Sequence, residues 1–331
     1  MKKITTIVLA FVIAIASQAQ DLKAFKSAKE KYGVKDASGK IVVNAQFDFI
    51  DEFSEGFAAA RMGNKYGFID ASGKTVIPFK YDYVVKFVNG FAAVNKGGKW
   101  DDYGEFEGGK WGLVNTQGKE AVPLMYDMVG DLIDGSVTVN KGGYYDGAIG
   151  GFADGKWGLV DANNKQLVPI LYDQITQIDK GCYVVKNDGK YGLLGKDGKP
   201  LTKTIYTDML IEENGLVRVN IGGTYDDLFD VFYGGKWGFL DLTGKAVVPV
   251  KFDDAGFFHE GMAKINLGAV KAESEFGGYM KGGKWGYIDE KGTLLIPVAY
   301  DEAEDFADGK AKVTLGNKKL VINKAGKQIN P

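Results

Sequence analysis

Residues 108–127 read GGKWGLVNTQGKEAVPLMYD, and nearly the same sequence returns at 155–173 and at 234–253. A pair formed by an aromatic residue and glycine recurs along the chain, with spacings of 34, 45, 46, 34, 46 and 48 residues. The repeat is therefore 34 residues long, and four repeats carry insertions of 11–14 residues. A degenerate eighth copy places Lys319-Leu320 in the same position. The aromatic residues of the seven clear pairs are Tyr32, Tyr66, Trp111, Trp157, Tyr191, Trp237 and Trp285.

Each repeat has the same internal order of strands and turns. Residues 68–74, FIDASGK, show an apolar run followed by Asp-x-x-Gly, which is typical of a tight turn. The next apolar run carries a proline, which predicts a strand end because proline cannot donate to a β-ladder. An aromatic-Asp element and a third apolar run follow. The sequence predicts an all-β protein of about eight three-stranded units.

We expect the repeated aromatic residues to form the core of the repeats. A buried Trp or Tyr removes roughly 150–250 Å² from water, which makes it a strong packing residue. The glycine beside it leaves backbone uncovered, which a ring of a neighbouring strand would cover. The predicted core residues are the seven aromatic residues given above, from Tyr32 to Trp285.

This pattern resembles the bacterial WG-repeat (KWG-repeat) family. The resemblance covers residues 32–331 and rests on the aromatic-Gly pairs, the Gly-Lys turns, the apolar-Pro runs and the Tyr-Asp elements. It implies an all-β repeat architecture and little chemistry. The degenerate last repeat favours a solenoid-like stack with a cap, and a closed, propeller-like ring is the alternative.

The N-terminus has the pattern of a secretory signal peptide. Met1-Lys2-Lys3 is basic, Ile4–Ala16 is apolar but too short to span a bilayer, and Ser17-Gln18-Ala19 provides small residues before a cut. We therefore predict a signal peptide at 1–19, an N-terminal lead-in at 20–31 and a repeat domain at 32–331. The sequence predicts an exported protein, periplasmic or secreted, without a membrane span.

Composition argues against several classes of function. The formal net charge of −2 provides no field that would attract nucleic acid. The one cysteine, Cys182, and the one histidine, His259, occupy variable scaffold positions, so a nucleophile–histidine arrangement is not expected. No segment has the spacing of a calcium loop. We expect no enzymatic activity, no metal and no cofactor.

The four insertions enter at the same point of the repeat, after its third strand, and we call them the arms. The first three arms share Asn-x-Gly-Gly-x-aromatic-Asp, beginning at residues 95, 140 and 220, and the fourth begins at 266. In one interpretation the arms only lengthen two strands. In the other they form a binding face, whose candidate residues are Asn95, Trp100, Asp101, Asp102, Asn140, Tyr145, Asp146, Asn220, Tyr225, Asp226 and Asp227.

Aromatic rings beside carboxylates and amides suit sugars, because rings stack on sugar C–H faces and polar groups bond to the hydroxyls. The sequence therefore favours an exported, non-enzymatic binding or scaffold protein that contacts a protein or glycan of the cell envelope. A purely structural role is one alternative. A glycan hydrolase that uses two of Asp101, Asp146 and Asp226 is the other.

Overall fold

A computed structural model describes residues 22–130, 132–146, 151–178 and 181–330. The predicted signal peptide lies outside the described residues. All regular elements in the described residues are β-strands, in agreement with the all-β prediction. The strands are β1 (Lys23–Lys26), β2 (Tyr32–Lys35), β3 (Ile41–Phe47), β4 (Phe49–Ile50), β5 (Phe57–Met62), β6 (Lys65–Asp70), β7 (Thr75–Tyr81), β8 (Tyr83–Val84), β9 (Phe91–Trp100), β10 (Phe106–Asn115), β11 (Glu120–Tyr126), β12 (Met128–Val129), β13 (Ser136–Asp146), β14 (Gly151–Asp161), β15 (Gln166–Tyr172), β16 (Gln174–Ile178), β17 (Cys182–Asn187), β18 (Lys190–Gly195), β19 (Asp208–Ile211), β20 (Val217–Asp226), β21 (Val231–Leu240), β22 (Ala246–Phe252), β23 (Asp254–Ala255), β24 (Met262–Ser274), β25 (Gly277–Asp289), β26 (Leu294–Tyr300), β27 (Glu302–Ala303), β28 (Lys310–Leu315), β29 (Lys318–Asn323) and β30 (Gln328–Ile329).

The strands form small antiparallel sheets, and the chain divides into two compact units between Leu132 and Ile133. The first unit contains sheets β1–β3, β4–β7 and β8–β11, and the second contains β13–β15, β16–β18, β19–β22, β23–β26 and β27–β30. In every sheet, strands that are consecutive in the chain are neighbours. Strand β1 lies in the predicted N-terminal lead-in and pairs with β2, so this segment is part of the first sheet.

Most sheets contain four strands rather than the predicted three. Sheet β4–β7 begins with the two-residue strand Phe49–Ile50, which follows an aromatic-Asp element. The third run of one repeat, β5, then pairs with the aromatic-Gly strand of the next repeat, β6, through a tight hairpin. A sheet therefore combines parts of two sequence repeats. The short first strand has no periodic pattern by which it could be predicted.

The Asp-x-x-Gly segments form the predicted turns. In the turn after β6, Asp70 Oδ1 accepts the backbone N–H groups of Ser72 and Lys74 at 2.9 and 3.0 Å. Gly73 has a φ of +80°, which favours glycine because it has no Cβ. The turn closes when Asp70 N donates to Lys74 O at 3.0 Å.

The glycine of each aromatic-Gly pair lies under a bulge of the neighbouring strand. Tyr66 pairs with Tyr81 and Phe68 with Ile77, so Gly67 faces three residues of β7, among them Pro78. The proline thus lies within this outer strand, at the bulge, and not at its end as predicted. Both positions suit proline because neither requires its missing N–H. A Cβ on Gly67 would lie 2.4 Å from the carbonyl oxygen of Ile77.

The same close approach recurs in most repeats. A Cβ would lie 2.8 Å or less from the carbonyl oxygen of the covering strand at each of these glycines: Gly33 (Val43), Gly112 (Val122), Gly158 (Val168), Gly238 (Val248) and Gly286 (Ile296). Backbone therefore covers these glycines, and the ring that we expected is found at Gly33, where a Cβ would also lie 2.8 Å from the Phe25 ring of β1. At Gly192 the nearest atom is Thr204 Oγ1 at 3.0 Å, so this repeat is packed less tightly.

The core is formed mainly by the residue after the glycine. This residue is fully or almost fully buried in each repeat: Val34, Phe68, Leu113, Leu159, Leu193, Phe239 and Tyr287. Of the aromatic residues before the glycine, Tyr66 and Trp237 are buried, whereas Tyr32, Trp111, Trp157, Tyr191 and Trp285 are half-buried. The expectation that all seven form the core therefore needs correction.

In the first unit the rings before the glycines, together with Phe49 and Tyr83, join neighbouring sheets. Tyr32, Phe49, Tyr66, Tyr83 and Trp111 form a line of edge-to-face contacts, with ring centroids 6.2, 6.4, 5.7 and 6.1 Å apart. Such aromatic pairs contribute roughly 0.5–1.5 kcal/mol beyond the area that they bury. The rings before the glycines thus link one sheet to the next along their rims.

A lysine–aspartate pair also links successive sheets. Lys65 Nζ lies 2.5 Å from Asp82 Oδ1, and Asp82 Oδ2 accepts the N–H of Gly97 at 2.8 Å. The lysine precedes an aromatic-Gly pair and the aspartate belongs to the next aromatic-Asp element. The same pairs are Lys31–Asp48, Lys110–Asp127, Lys156–Asp173, Lys236–Asp253 and Lys284–Asp301. The hydrogen bond from Lys31 lowers the pKa of Asp48, so this carboxylate stays charged at neutral pH.

We predict that Gly67→Ala destabilises the protein by about 1–3 kcal/mol or more, because the added methyl group would push the backbone of β7 away. Gly195→Ala is the control: its Cβ would meet no atom closer than Asp197 Oδ1 at 3.3 Å, and this side chain can move. Thermal unfolding measures both variants. A Gly67→Ala protein that melts as the control does would contradict the packing described here.

Candidate functional site

The arms are extensions of the central hairpins. Strands β9 and β10 remain paired from Asn115↔Phe91 to Phe106↔Trp100, with one irregularity at Gly97 and Gly109. The other arms extend the hairpins β13–β14, β20–β21 and β24–β25 in the same way. Each arm therefore grows directly out of the repeat scaffold and is not a separate loop.

The asparagine at the foot of each arm, where the arm leaves the repeat, links the two strands of the arm by hydrogen bonds. Asn95 is fully buried, its Nδ2 donates to Gly108 O at 3.1 Å, and its Oδ1 accepts Gly98 N–H at 3.1 Å. Asn140 and Asn220 are equally buried and make the equivalent bonds. Three of the predicted ligand-binding residues thus hold the arm together and are inaccessible. Asn266 repeats half of the arrangement in the fourth arm: its Nδ2 donates to Gly282 O at 3.3 Å, but its buried Oδ1 has no hydrogen-bond partner.

A phenylalanine that the sequence reasoning did not assign also belongs to this foot. A Cβ on Gly98 would lie 2.4 Å from the Phe106 ring, so the second glycine of Asn-x-Gly-Gly makes room for that ring. Phe106 in turn contacts Trp111 edge-on, with centroids 6.1 Å apart. Phe152 and Phe232 contact Trp157 and Trp237 likewise. In all three arms the phenylalanine precedes the tryptophan by five residues, a spacing that could have identified it.

Two of the predicted arm carboxylates form turns. Asp101 Oδ1 accepts the N–H groups of Tyr103 and Glu105 at 2.9 and 2.8 Å, and Asp226 Oδ1 accepts Leu228 N–H at 3.1 Å. Both were candidates for a hydrolytic pair, and both have a local structural role. Asp146 is half-buried at the end of β13, and Asp102 and Asp227 are exposed. In the described parts of the chain, no group of three or more His, Cys, Asp or Glu is placed to hold a metal ion.

Aromatic rings are exposed towards the ends of the arms. The side chains of Trp100, Tyr144 and Tyr225 are 48%, 53% and 51% exposed, and the predicted Tyr145 is half-buried. Trp100 packs against Phe106 and Tyr83, each with centroids 5.4 Å away, and Tyr83 stacks on Phe106 at 4.9 Å. Trp100 therefore packs against the rings of Tyr83 and Phe106, and about half of its surface is exposed to solvent. The hydroxyl of Tyr225 donates to Asp230.

A second departure from the repeat pattern lies in the second unit, around Arg218. Its guanidinium carbon lies 4.7 Å from the Trp237 ring centroid and 3.8 Å from that of Phe257, and Nη1 donates to Ala255 O at 3.0 Å. Burial lowers the pKa of Arg218 and raises the pKa values of Asp208 and Asp254, which occupy the position of Tyr83 in their repeats. At the repeat position where the first unit has Tyr83 in its line of rings, these two repeats of the second unit thus have the acidic residues Asp208 and Asp254.

Comparison with known proteins identifies the repeat. The sequence pattern described as "WG containing repeat" matches residues 32–66, 66–100, 111–145, 157–191, 237–269 and 285–318, together more than half of the chain. No curated protein matches the chain. The described residues contain no helix of the length and apolar character that crossing a membrane requires.

Solved structures resemble the chain only loosely. A eukaryotic initiation factor matches with a TM-score of 0.31 and 11% identity over 94% of this chain and 95% of that one. KlHsv2 with loop 6CD replaced by a Gly-Ser linker matches with 0.32 and 12% over 67% and 81%. A protein of unknown function from Bacteroides caccae matches with 0.21 and 12% over 69% and 92%.

We predict that Asn95→Ala lowers stability by about 1–3 kcal/mol, because the change leaves the Gly98 N–H and the Gly108 carbonyl without their partner. Tyr103→Ala in the same arm is the control, since Tyr103 is 92% exposed and its removal should change stability by about 0.5 kcal/mol at most. Thermal unfolding compares the two. Equal melting temperatures would show that Asn95 does not fasten the arm.

Proposed function

The chain belongs to the family of WG containing repeat proteins, and from that premise we propose that it is an exported, non-enzymatic binding protein whose arms contact the cell envelope. The observation that carries the proposal is the half-exposed ring of Trp100 on a fastened arm. Tyr144 and Tyr225 provide exposed rings on two further arms. Single exposed apolar residues are normal, so the proposal rests on the kind of side chain, an aromatic ring with an open face, and on its recurrence in three arms.

A glycan is the partner class that these rings favour, and an envelope protein is the second candidate. A sugar ring presents C–H groups on one face, which stack on an aromatic ring, and hydroxyls at its edge, which need polar partners. Acidic side chains lie near Trp100 in the sequence of the first arm, with Asp102 exposed and Glu107 paired to Lys99 at 3.3 Å. The exposed aromatic ring suits the C–H face of a sugar, and the nearby carboxylates suit its hydroxyls, from which they would accept hydrogen bonds.

Rigidity of the arm foot supports binding. A ring that is already fixed loses little conformational entropy when a ligand stacks on it, so more of the contact energy appears as affinity. Asn95 fixes the strand pair, and Phe106 and Tyr83 fix the tryptophan ring. The second unit alone carries two arms with exposed rings, those of Tyr144 and Tyr225, and two arms that engage one polymer raise the apparent affinity without further contacts.

Export is supported by the sequence of the first 19 residues, with its basic start, its apolar run and the small residues Ser17 and Ala19 before a cut after Ala19. Export would bring the chain to the cell envelope, where a partner of this class is present. The absence of catalysis is supported by the positions of the usual catalytic residue types. Cys182 is buried in β17, and the two acids Asp101 and Asp226 are used in turns.

The test measures retention of residues 20–331 on insoluble envelope material and on a glycan panel. The triple variant Trp100→Ala, Tyr144→Ala, Tyr225→Ala should lose about tenfold or more in affinity, since 1.4 kcal/mol of lost stacking corresponds to a factor of ten. The matched control replaces three equally exposed apolar residues outside the arms, namely Ile41→Ala, Met125→Ala and Leu295→Ala. Thermal melts must first show that both variants are folded.

The outcomes separate the alternatives. Retention that survives protease treatment of the envelope, and that the arm variant alone loses, supports a glycan partner. Retention that protease treatment abolishes supports a protein partner. If the arm variant is retained as well as wild type, the arms are not the contact surface. If wild type is not retained either, a structural role is the better explanation.

A further inference from the structure

A row of aromatic rings in the first unit continues from Trp100 to the neighbouring sheets. Trp100 contacts Tyr83 edge-on with ring centroids 5.4 Å apart, and Tyr83 contacts Tyr66 at 5.7 Å. Tyr66 contacts Phe49 at 6.4 Å, and Phe49 contacts Tyr32 at 6.2 Å. We call these five residues the ring row. It connects Trp100, the proposed contact of the first arm, with rings of two further sheets.

Two members of the ring row are presented in the same way by neighbouring sheets. Phe49 and Tyr83 each begin a short first strand, β4 and β8, so they occupy the same position of their repeats. Phe49 is 36% exposed and Tyr83 is half-buried, whereas Tyr66 between them is buried. The planes of both outer rings make nearly the same angle with the Tyr66 ring, 69° and 70°. Phe49 and Tyr83 are therefore repeated features of one solvent-facing surface.

The fold does not require a ring at this position. In the first unit the next repeat has the apolar Met128 there. In the second unit the residues that begin the first strands of the sheets are polar: Gln174, Asp208, Asp254 and Glu302. These strands pair in their sheets as β4 and β8 do. The exposed rings of Phe49 and Tyr83 are thus particular to the first unit, and scaffold formation alone does not explain them.

Polar groups that could bond to hydroxyls lie beside the ring row. Arg61 is the cross-strand partner of Phe49, and its guanidinium carbon lies 5.9 Å from the Tyr66 ring centroid. Burial raises the pKa of Tyr83, and the neighbouring Tyr66 and Asp51 raise it further. The side chain of Asp51 is exposed and that of Arg61 is half-buried. The surface therefore provides both a hydrogen-bond acceptor and a donor group next to the rings.

The charges near these rings largely offset one another. Asp51 and Arg61 have opposite signs. Lys26 lies 6.0 Å from the Tyr32 ring centroid, but it is paired with Glu30. The lysine–aspartate pairs that link these sheets are neutral as pairs. An uncharged ligand therefore suits this surface better than a polyanion, which requires an excess of positive charge.

We propose that the ring row extends the Trp100 contact into a surface for a linear, uncharged glycan, which lies along Trp100, Tyr83 and Phe49. This inference rests on the proposed glycan contact of the first arm. Consecutive sugars of a linear chain present C–H faces at regular intervals, which suits rings that recur from sheet to sheet. Hydroxyls beside those faces would donate to Asp51 and accept from Arg61.

A linear ligand on this surface has a consequence for affinity. The loss of translational and rotational freedom is incurred once for the whole chain, so each further sugar that reaches a ring adds contact at a smaller cost. Affinity should therefore increase with the number of sugars until the ring row is covered. A contact at Trp100 alone would not show this dependence, because one ring is covered by a short ligand.

The test is isothermal titration of the full chain with cello-oligosaccharides and chito-oligosaccharides, from disaccharide to hexasaccharide. In a series that wild type binds, the hexasaccharide should bind about tenfold or more tightly than the disaccharide. Phe49→Gln and Tyr83→Gln introduce the residue type of Gln174 and should each remove most of this gain. Phe49→Tyr keeps a ring and should retain the gain. Met125→Gln, 41% exposed in β11 of the first unit, is the control and should bind as wild type does.

The ratio of the two affinities keeps the test decisive if a variant folds poorly. Both ligands are titrated into the same preparation, so an unfolded fraction lowers the stoichiometry and leaves the ratio unchanged. Equal affinities of wild type for disaccharide and hexasaccharide would overturn the inference. Hexasaccharide binding by both glutamine variants that equals wild-type binding would overturn it as well.

Trp100→Ala distinguishes failure of this inference from failure of the proposed function. This variant should weaken the binding of both ligands, because it removes the ring that all chain lengths use. If Trp100→Ala weakens binding but the glutamine variants do not, the arm contact is supported and the ring row only links sheets. If wild type binds no sugar of either series or of the glycan panel, the proposed glycan contact fails and this inference fails with it. Binding of a proline-rich peptide instead, lost in Phe49→Gln, would assign the ring row to a protein partner.

Discussion

The fold depends on one close contact, between the glycine of each aromatic-Gly pair and the carbonyl oxygen of a bulged outer strand. At Gly67 this approach leaves no room for any Cβ. The bulge also explains the proline, which lies in the bulge where no N–H is needed. With the outer strand in this position, the residue after the glycine is buried, and the ring before it is half-buried in five of the seven repeats. The line of rings in the first unit and the lysine–aspartate pairs then connect neighbouring sheets within a unit.

Much of this could be predicted from the sequence because it is periodic. The all-β fold, the 34-residue repeat and the Asp-x-x-Gly turns follow from spacing and turn chemistry, and the structure agrees with them. The two-residue first strands could not be predicted, since a strand such as Phe49–Ile50 is too short for a pattern. Pro78 was predicted to lie at a strand end because proline lacks the N–H that a β-ladder uses. A bulge does not use that N–H either, so the sequence alone did not distinguish the two positions. Bulges become visible only when the pairing register is known.

In the candidate site, too, the prediction from sequence failed where the result depends on how the strands pair. Asn95 was considered a ligand-binding residue because it recurs in three arms and its amide could bond to sugar hydroxyls. It is buried because two glycines with positive φ, Gly97 and Gly109, let the strands bulge together around its side chain. The exposed rings were predicted better, since Trp100 and Tyr225 remain open to solvent.

The arms thus divide into a buried foot that belongs to the scaffold and a tip that is free to make contacts. Hydrogen exchange along residues 91–115 tests this division most directly. We expect protection of the amides that bond across the two strands, of Gly97 N–H, which Asp82 accepts, and of Gly98 N–H, which Asn95 accepts, and the fastest exchange at the tip, 101–105, where the bonds to Asp101 are local. Fast exchange from Gly97 onward would contradict it, because a flexible arm could not hold the Trp100 ring in place for a ligand.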